Sequence, residues 1–147
     1  MTDTTRLADT EVKEFVDRWY QLLDTHAPVE QLLPLLADDE LEMRLPETTT
    51  HGHAGFKQWY DTVVNRFFDE VHALKELAVD TGGDEARVRL VVNWQAKIWN
   101  PPAAKSEWIG FDAGQTWTMR RSATTGRPEI LLYSVDSFVP MEGSATL

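Results

Sequence analysis

The sequence predicts an α+β protein, a cone-shaped curved antiparallel sheet wrapped on three N-terminal helices in the order α-α-β-α-β-β-β-β. Three observations carry this. Apolar residues recur at helical spacing in the N-terminal half, most clearly at Phe56, Trp59, Tyr60, Val63, Val64, Phe67 and Phe68. From Val71 onward the period changes to two. Between Ala86 and Arg120, two long alternating stretches parted by Pro101-Pro102 hold Trp94, Trp99, Trp108 and Trp117, four of the six tryptophans. Strands of that length must twist and curl, and large aromatics on them suit a concave face that lines a cavity.

The elements follow in order. Asp9 or Thr10 caps a first helix whose face is Val12, Phe15, Val16, Trp19, Tyr20, Leu22 and Leu23. His26-Ala27-Pro28 breaks it, and Pro28 starts a short second helix to about residue 36, which Pro34 kinks or divides. Leu41, Met43 and Leu45 alternate as a first short strand closed by Pro46, and Thr48-Thr49-Thr50 reads as a polar loop. The aromatic stripe from Phe56 to Phe68 is the third helix, with Gly52 and Gly55 at its start. A strand over about residues 72–79 ends in the turn signal Asp80-Thr81-Gly82-Gly83-Asp84. The next strand turns Val88, Leu90, Val92, Trp94, Ala96 and Ile98 inward, leaving Asn93, Gln95 and Lys97 to solvent or a dimer surface. Strands over about 108–120 and 129–139 complete the sheet, and Trp99 and Trp108 belong near the Pro101-Pro102 rim or an interface. Residues 9–139 read as one domain with tails at 1–8 and 140–147.

Composition bounds the function. A chain of 147 residues with 42% hydrophobic residues and a mean hydropathy of −0.37 is an ordinary globular domain. No apolar run approaches the roughly 20 residues of a membrane helix, and the N-terminus lacks a signal-peptide pattern, so no membrane partner and a cytoplasmic location are expected. The absence of cysteine excludes disulfides, thiolate metal sites and a cysteine nucleophile. A formal charge of −10 with scattered Lys and Arg excludes nucleic acid as a partner. No dinucleotide fingerprint, phosphate loop or nucleophile elbow is present, so no cofactor is expected.

The element order, with Leu35-Leu36-Ala37-Asp38-Asp39 before the first strand and Gly52-His53-Ala54-Gly55-Phe56 opening the third helix, resembles the nuclear-transport-factor-two-like superfamily, in particular its SnoaL-like branch. The resemblance covers about residues 9–139. It implies the α+β cone and a homodimer, but not one activity, because the superfamily holds ketosteroid isomerases, scytalone dehydratase, limonene epoxide hydrolase, polyketide cyclases and non-catalytic members. Aligned on Ala37-Asp38-Asp39, the oxyanion-donor tyrosine of ketosteroid isomerases falls on Tyr20, whereas their carboxylate base falls on Arg44. A guanidinium does not take a substrate proton at neutral pH, so that mechanism in its usual form is excluded.

The remaining candidates are few. Tyr20 is placed to hold a substrate carbonyl or to pack in the core. His53, near the start of the third helix, is either an acid/base or a partner for the helix end. The His51/His53 pair lacks the further carboxylate or histidine that a metal site needs, so no metal is expected. The SnoaL-like resemblance implies an acidic base near the end of the last strand, where Asp136 stands. Gln115 on an apolar strand face is a ligand-orienting or hydrogen-bonded core group, and Trp19, Trp59, Trp94 and Trp117 are the expected pocket walls. The reading is a protein that binds a small apolar molecule. Its first form is a cofactor-free acid/base enzyme of isomerase, cyclase or dehydratase type, acting on a polyketide-, steroid- or aromatic-like compound. Its second is a non-catalytic ligand-binding or dimerisation module of the same fold.

Overall fold

A computed structural model describes residues 6–147. Helix α1 (Asp9–Asp24) buries the whole predicted face, from Val12 to Leu23. Its cap is Ala8, one residue before the expected Asp9 or Thr10: the Ala8 N–H donates to the Glu11 carboxylate at 3.0 Å. After Asp24 the chain turns through His26, which takes the left-handed conformation at φ 50°. The His26 and Ala27 N–H groups there close onto the carbonyls of Leu23 and Leu22 at 3.1 and 3.0 Å. The second helix is divided at Pro34, which lacks a backbone donor: α2 (Val29–Leu32) passes into a 3-10 turn (Leu33–Leu35).

Strand β1 (Glu42–Arg44) pairs with β2 (Thr49–His51), so the Thr48-Thr49-Thr50 stretch expected as a loop is in part a strand. Its β-branched threonines suit pairing, with Thr50 opposite Met43. Helix α3 (Gly52–Arg66) opens at Gly52, whose φ of 67° needs no Cβ.

The remaining strands are β3 (Phe67–Asp80), β4 (Ala86–Ile98), β5 (Glu107–Arg121) and β6 (Pro128–Pro140). The predicted third helix ran through Phe68, whereas the chain switches to strand at Phe67. Phe67 pairs with Ile98 and is buried, and Phe68 is 40% exposed, so two residues that fit the helical period also fit the strand period.

One open sheet has the order β2-β1-β6-β5-β4-β3. It is mixed rather than wholly antiparallel, because β1 lies parallel to β6, with Met43 beside Tyr133. The long excursion between them supplies the crossover that a parallel pair requires. Register shifts in β3 at Phe68/Val71 and Leu74/Glu76, and between β5 and β6 at Gly114/Gln115 and Thr118/Met119, bend the long strands. α1 and α3 contribute their apolar faces to a main core centred on Trp19, Phe56 and Trp117. A smaller cluster of Phe67, Ala96, Ile98, Ile109 and Phe111 fills the other end.

The segment after Pro140 is fastened to the sheet, not a free tail. The Met141 and Ala145 N–H groups donate to the carbonyls of Gly110 and Trp108 at 2.9 and 3.1 Å. Asn93 is thereby covered on the outer face, where it donates to Asp112 at 3.0 Å. No helix among the described residues is long and apolar enough to cross a membrane.

Candidate active site

Helices and curled sheet leave a cavity of about 330 Å³ between α3 and the concave faces of β3 to β6. Trp59, Tyr60, Val92, Trp94, Ala113 and Phe138 give it apolar walls, and Gln115, Tyr133, His72 and Glu70 give it polar points. This is the usual composition of a small-molecule pocket.

Period-two alternation places most of these groups. Val92 and Trp94 project from β4 to one side, and Ala113 and Gln115 do the same from β5. Tyr133 and Val135 project from β6 by the same rule. A bulge then interrupts the rule: Ser137 pairs with Gly114 and Val135 with Gln115, which leaves Asp136 as the extra residue.

Asp136, expected as a base, follows the inward-facing Val135 and is turned to the outer face by alternation; the bulge acts only beyond it, bringing Phe138 to the cavity. On the outer face Asp136 accepts hydrogen bonds from Thr116 at 2.6 Å and Ser134 at 2.9 Å, outside the cavity. His53 also lies elsewhere. Its Nε2–H donates to the Leu36 carbonyl at 3.0 Å, and its backbone N–H reaches Asp38 at 3.4 Å, which ties the start of α3 to the turn before β1. His51 is exposed beside Glu42, and no three His, Asp or Glu side chains among the described residues are grouped as metal ligands.

Tyr20 stands one layer behind the cavity. Its hydroxyl donates to Gln115 Oε1 at 3.4 Å, and Trp117 Nε1–H donates to the same oxygen at 2.9 Å. Two donors on that oxygen fix the amide and leave its NH₂ for the cavity side. Trp59, Trp94 and Gln115 are thus cavity residues, whereas Trp19 and Trp117 are fully buried core, packed edge to face at 6.2 Å.

Burial, with Tyr133 nearby, pushes the Tyr20 phenol well above its ordinary range. Burial likewise pushes Tyr133 up to about 12, partly offset by the polar groups of Gln115, Tyr20 and Trp19 nearby. Tyr60 is also pushed up to about 12, by burial and then by the Glu70 charge, and its hydroxyl donates to the Ala27 carbonyl at 2.6 Å. All three therefore stay neutral hydrogen-bonding phenols across the physiological range.

The structure adds two imidazole–carboxylate pairs that local sequence patterns did not reveal. His72 Nδ1–H donates to Asp24 Oδ1 at 2.6 Å, and the His72 backbone N–H donates to Asp24 Oδ2 at 3.2 Å. The carboxylate at the end of α1 therefore fixes both the ring and its tautomer, leaving Nε2 as the acceptor. Nε2 makes no hydrogen bond among the described residues, and the ring lines the cavity, stacked between Tyr20 at 4.8 Å and Trp94 at 6.3 Å. In the second pair His26 Nε2 contacts Glu70 Oε2, and Trp94 Nε1–H donates to Glu70 Oε1 at 3.0 Å. Glu70 and His72 lie two apart on β3, which is why both reach the same cavity.

No family model and no curated protein matches the chain. Solved structures do. A protein from Streptomyces avermitilis, described provisionally as a dehydratase of the NTF2-like family, superposes with a TM-score of 0.72 at 15% identity, over 90% of this chain and 95% of that one. One from Novosphingobium aromaticivorans, described provisionally as a scytalone dehydratase, gives 0.68 at 15% identity over 94% and 88%. A cystatin-like-fold protein of unknown function from Nostoc punctiforme gives 0.68 at 17% identity over 88% and 92%. The chain has the NTF2-like, cystatin-like fold.

Proposed function

We infer that the cavity is the active site of a cofactor-free acid/base enzyme. Its reaction removes a proton from carbon in an apolar, ring-bearing compound with a carbonyl or hydroxyl group, leading to dehydration, isomerisation or cyclisation. The observation that carries this is the Asp24–His72 pair, with its unpaired Nε2 in an otherwise apolar cavity. A neutral imidazole whose other nitrogen is held by a carboxylate is a proton acceptor fixed in direction, and the carboxylate stabilises the imidazolium that forms. The amide of Gln115 and the hydroxyl of Tyr133 supply neutral donors for a carbonyl oxygen as charge develops on it. Two of the structural neighbours are described as dehydratases, which is consistent with this reaction class. The second reading, a ligand-binding module without chemistry, shares the cavity but gives the oriented imidazole no role.

The test is the ring-opening elimination of nitrobenzisoxazole to its cyanophenolate, a chromogenic reaction that needs only a desolvated base. The wild-type protein is expected to exceed free imidazole by about 100-fold or more at equal concentration, and His72→Gln to lose that excess. Tryptophan quenching by naphthol, reporting on Trp59 and Trp94, checks that the variant still binds. Binding without any His72-dependent turnover would favour the second reading.

A further inference from the structure

Proton removal at His72 leaves half of an elimination unsupplied, because a departing hydroxyl needs a proton. Of the two carboxylate side chains that line the cavity, Glu47 and Glu70, Glu70 is the deeply buried one, with a side chain only 3% exposed. Its Oε2 contacts His26 Nε2, whose side chain is 28% exposed and so reaches water. Trp94 Nε1–H holds Oε1 at 3.0 Å and leaves that oxygen a second lone pair. The chain takes unusual conformations on both sides of the contact. His26 has φ 50° and Asp69, next to Glu70, has φ 52°, the two non-glycine residues with positive φ among those described. The β3–β4 register also slips between Phe68 and Val71. The left-handed helix end at His26 and the bulge beside Asp69 set where the two side chains meet.

We propose that Glu70 and His26 form the acid half of this site: a buried carboxyl facing the substrate and an imidazole behind it that share one transferable proton, replenished from solvent through His26. The proposal rests on His72 being the base. In a dehydration, His72 Nε2 accepts the proton from carbon, and that C–H electron pair becomes the new double bond. The adjacent C–O bond breaks, and the hydroxyl leaves as water with the proton carried by Glu70. His26 then regains from solvent the single proton that the pair has given up, while His72 releases its own. The net change is substrate to alkene and water. The substrate class follows: a β-hydroxy carbonyl or comparable alcohol, whose poor leaving group requires an acid.

The experiment compares two probes that share the base step and differ in the leaving group. Nitrobenzisoxazole expels a stable phenolate, whereas unsubstituted benzisoxazole expels a more basic one that gains from protonation. Glu70→Gln keeps an acceptor for Trp94, and His26→Asn keeps a residue that tolerates positive φ. Each variant is expected to lose about threefold or less on the nitro probe and about 100-fold on the unsubstituted one, the usual size of a general-acid effect. An equal loss on both probes, large or small, would show that the pair only shapes the site and would overturn the proposal, while a His72→Gln loss in the same assay leaves the base intact. If His72→Gln loses nothing, or the wild type matches free imidazole, the base falls and the acid with it. Should Glu70→Gln fail to fold, His26→Asn, which leaves the buried carboxylate in place, decides alone.

Discussion

Replacing Asp24 by Asn tests the orienting carboxylate with little change of shape. In the wild type, Asp24 accepts from both the ring and the backbone N–H of His72, at 2.6 and 3.2 Å. An amide retains one acceptor for the two donors and carries no charge to face the imidazolium that forms in the reaction. Unit charges about 4 Å apart at an effective dielectric near 20 interact by about 4 kcal/mol. Asp24 is 26% exposed and His72 11% in their side chains, so solvent screens part of that. Halving it leaves about 2 kcal/mol, or about 30-fold in rate. The assay is nitrobenzisoxazole turnover resolved into kcat and KM. Asp24 does not line the cavity, so the loss is expected in kcat, with KM moved by about twofold or less. A kcat within about twofold of wild type, in a protein that melts normally, would refute the role of the pair.

Two further predictions concern stability. Burial lifts Tyr133 to about 12, whereas an exposed tyrosine ionises near 10, so the folded protein holds this proton more tightly than the unfolded chain. That stability is complete below about pH 10 and is lost as pH rises toward about 12, at a cost of about 2–3 kcal/mol. Urea unfolding from pH about 9 upward should show the decline, Tyr133→Phe should make it shallower while Tyr20 and Tyr60 keep the remainder, and parallel curves would contradict the assignment. Gly110→Ala would place a Cβ 2.6 Å from Trp108 Cζ2 and 2.7 Å from Met141 Sδ. The indole is rigid, so a loss of about 1–3 kcal/mol and faster proteolysis after Pro140 are expected; an unchanged unfolding midpoint would show that the segment yields freely.

What the sequence made legible was whatever local periodicity controls. Alternation along β4 and β5 put Trp94 and Gln115 on the concave side, where they line the cavity. Asp136 was expected in the pocket from the resemblance, whereas alternation from Tyr133 turns it outward; the rule breaks only beyond it, where a bulge with no signature in the local pattern brings Phe138 to the cavity. Glu70 and His72 were obscured differently. Phe67 and Phe68 complete a helical stripe begun at Phe56, so the start of β3 was assigned to α3 and Glu70 fell in an unassigned gap. The Asp24–His72 contact spans 48 residues, and the spacing of either residue within its own element cannot announce it. Tyr20 and Asp24 do stand one helical turn apart on α1, a signal that could have drawn attention to the end of that helix. Trp19 and Trp117 were recognised as inward-facing, but facing inward from a helix or a strand does not distinguish a cavity wall from the core behind it.

The claim that His72 presents a free Nε2 to the ligand can be read directly by long-range ¹H–¹⁵N NMR of the imidazoles during titration with naphthol. Under conditions where the ring is neutral, the account predicts that His72 is the Nδ1–H tautomer and that its Nε2 resonance moves as the phenol donates to it. A proton on Nε2, or an Nε2 resonance that stays fixed while Trp59 and Trp94 report binding, would contradict it.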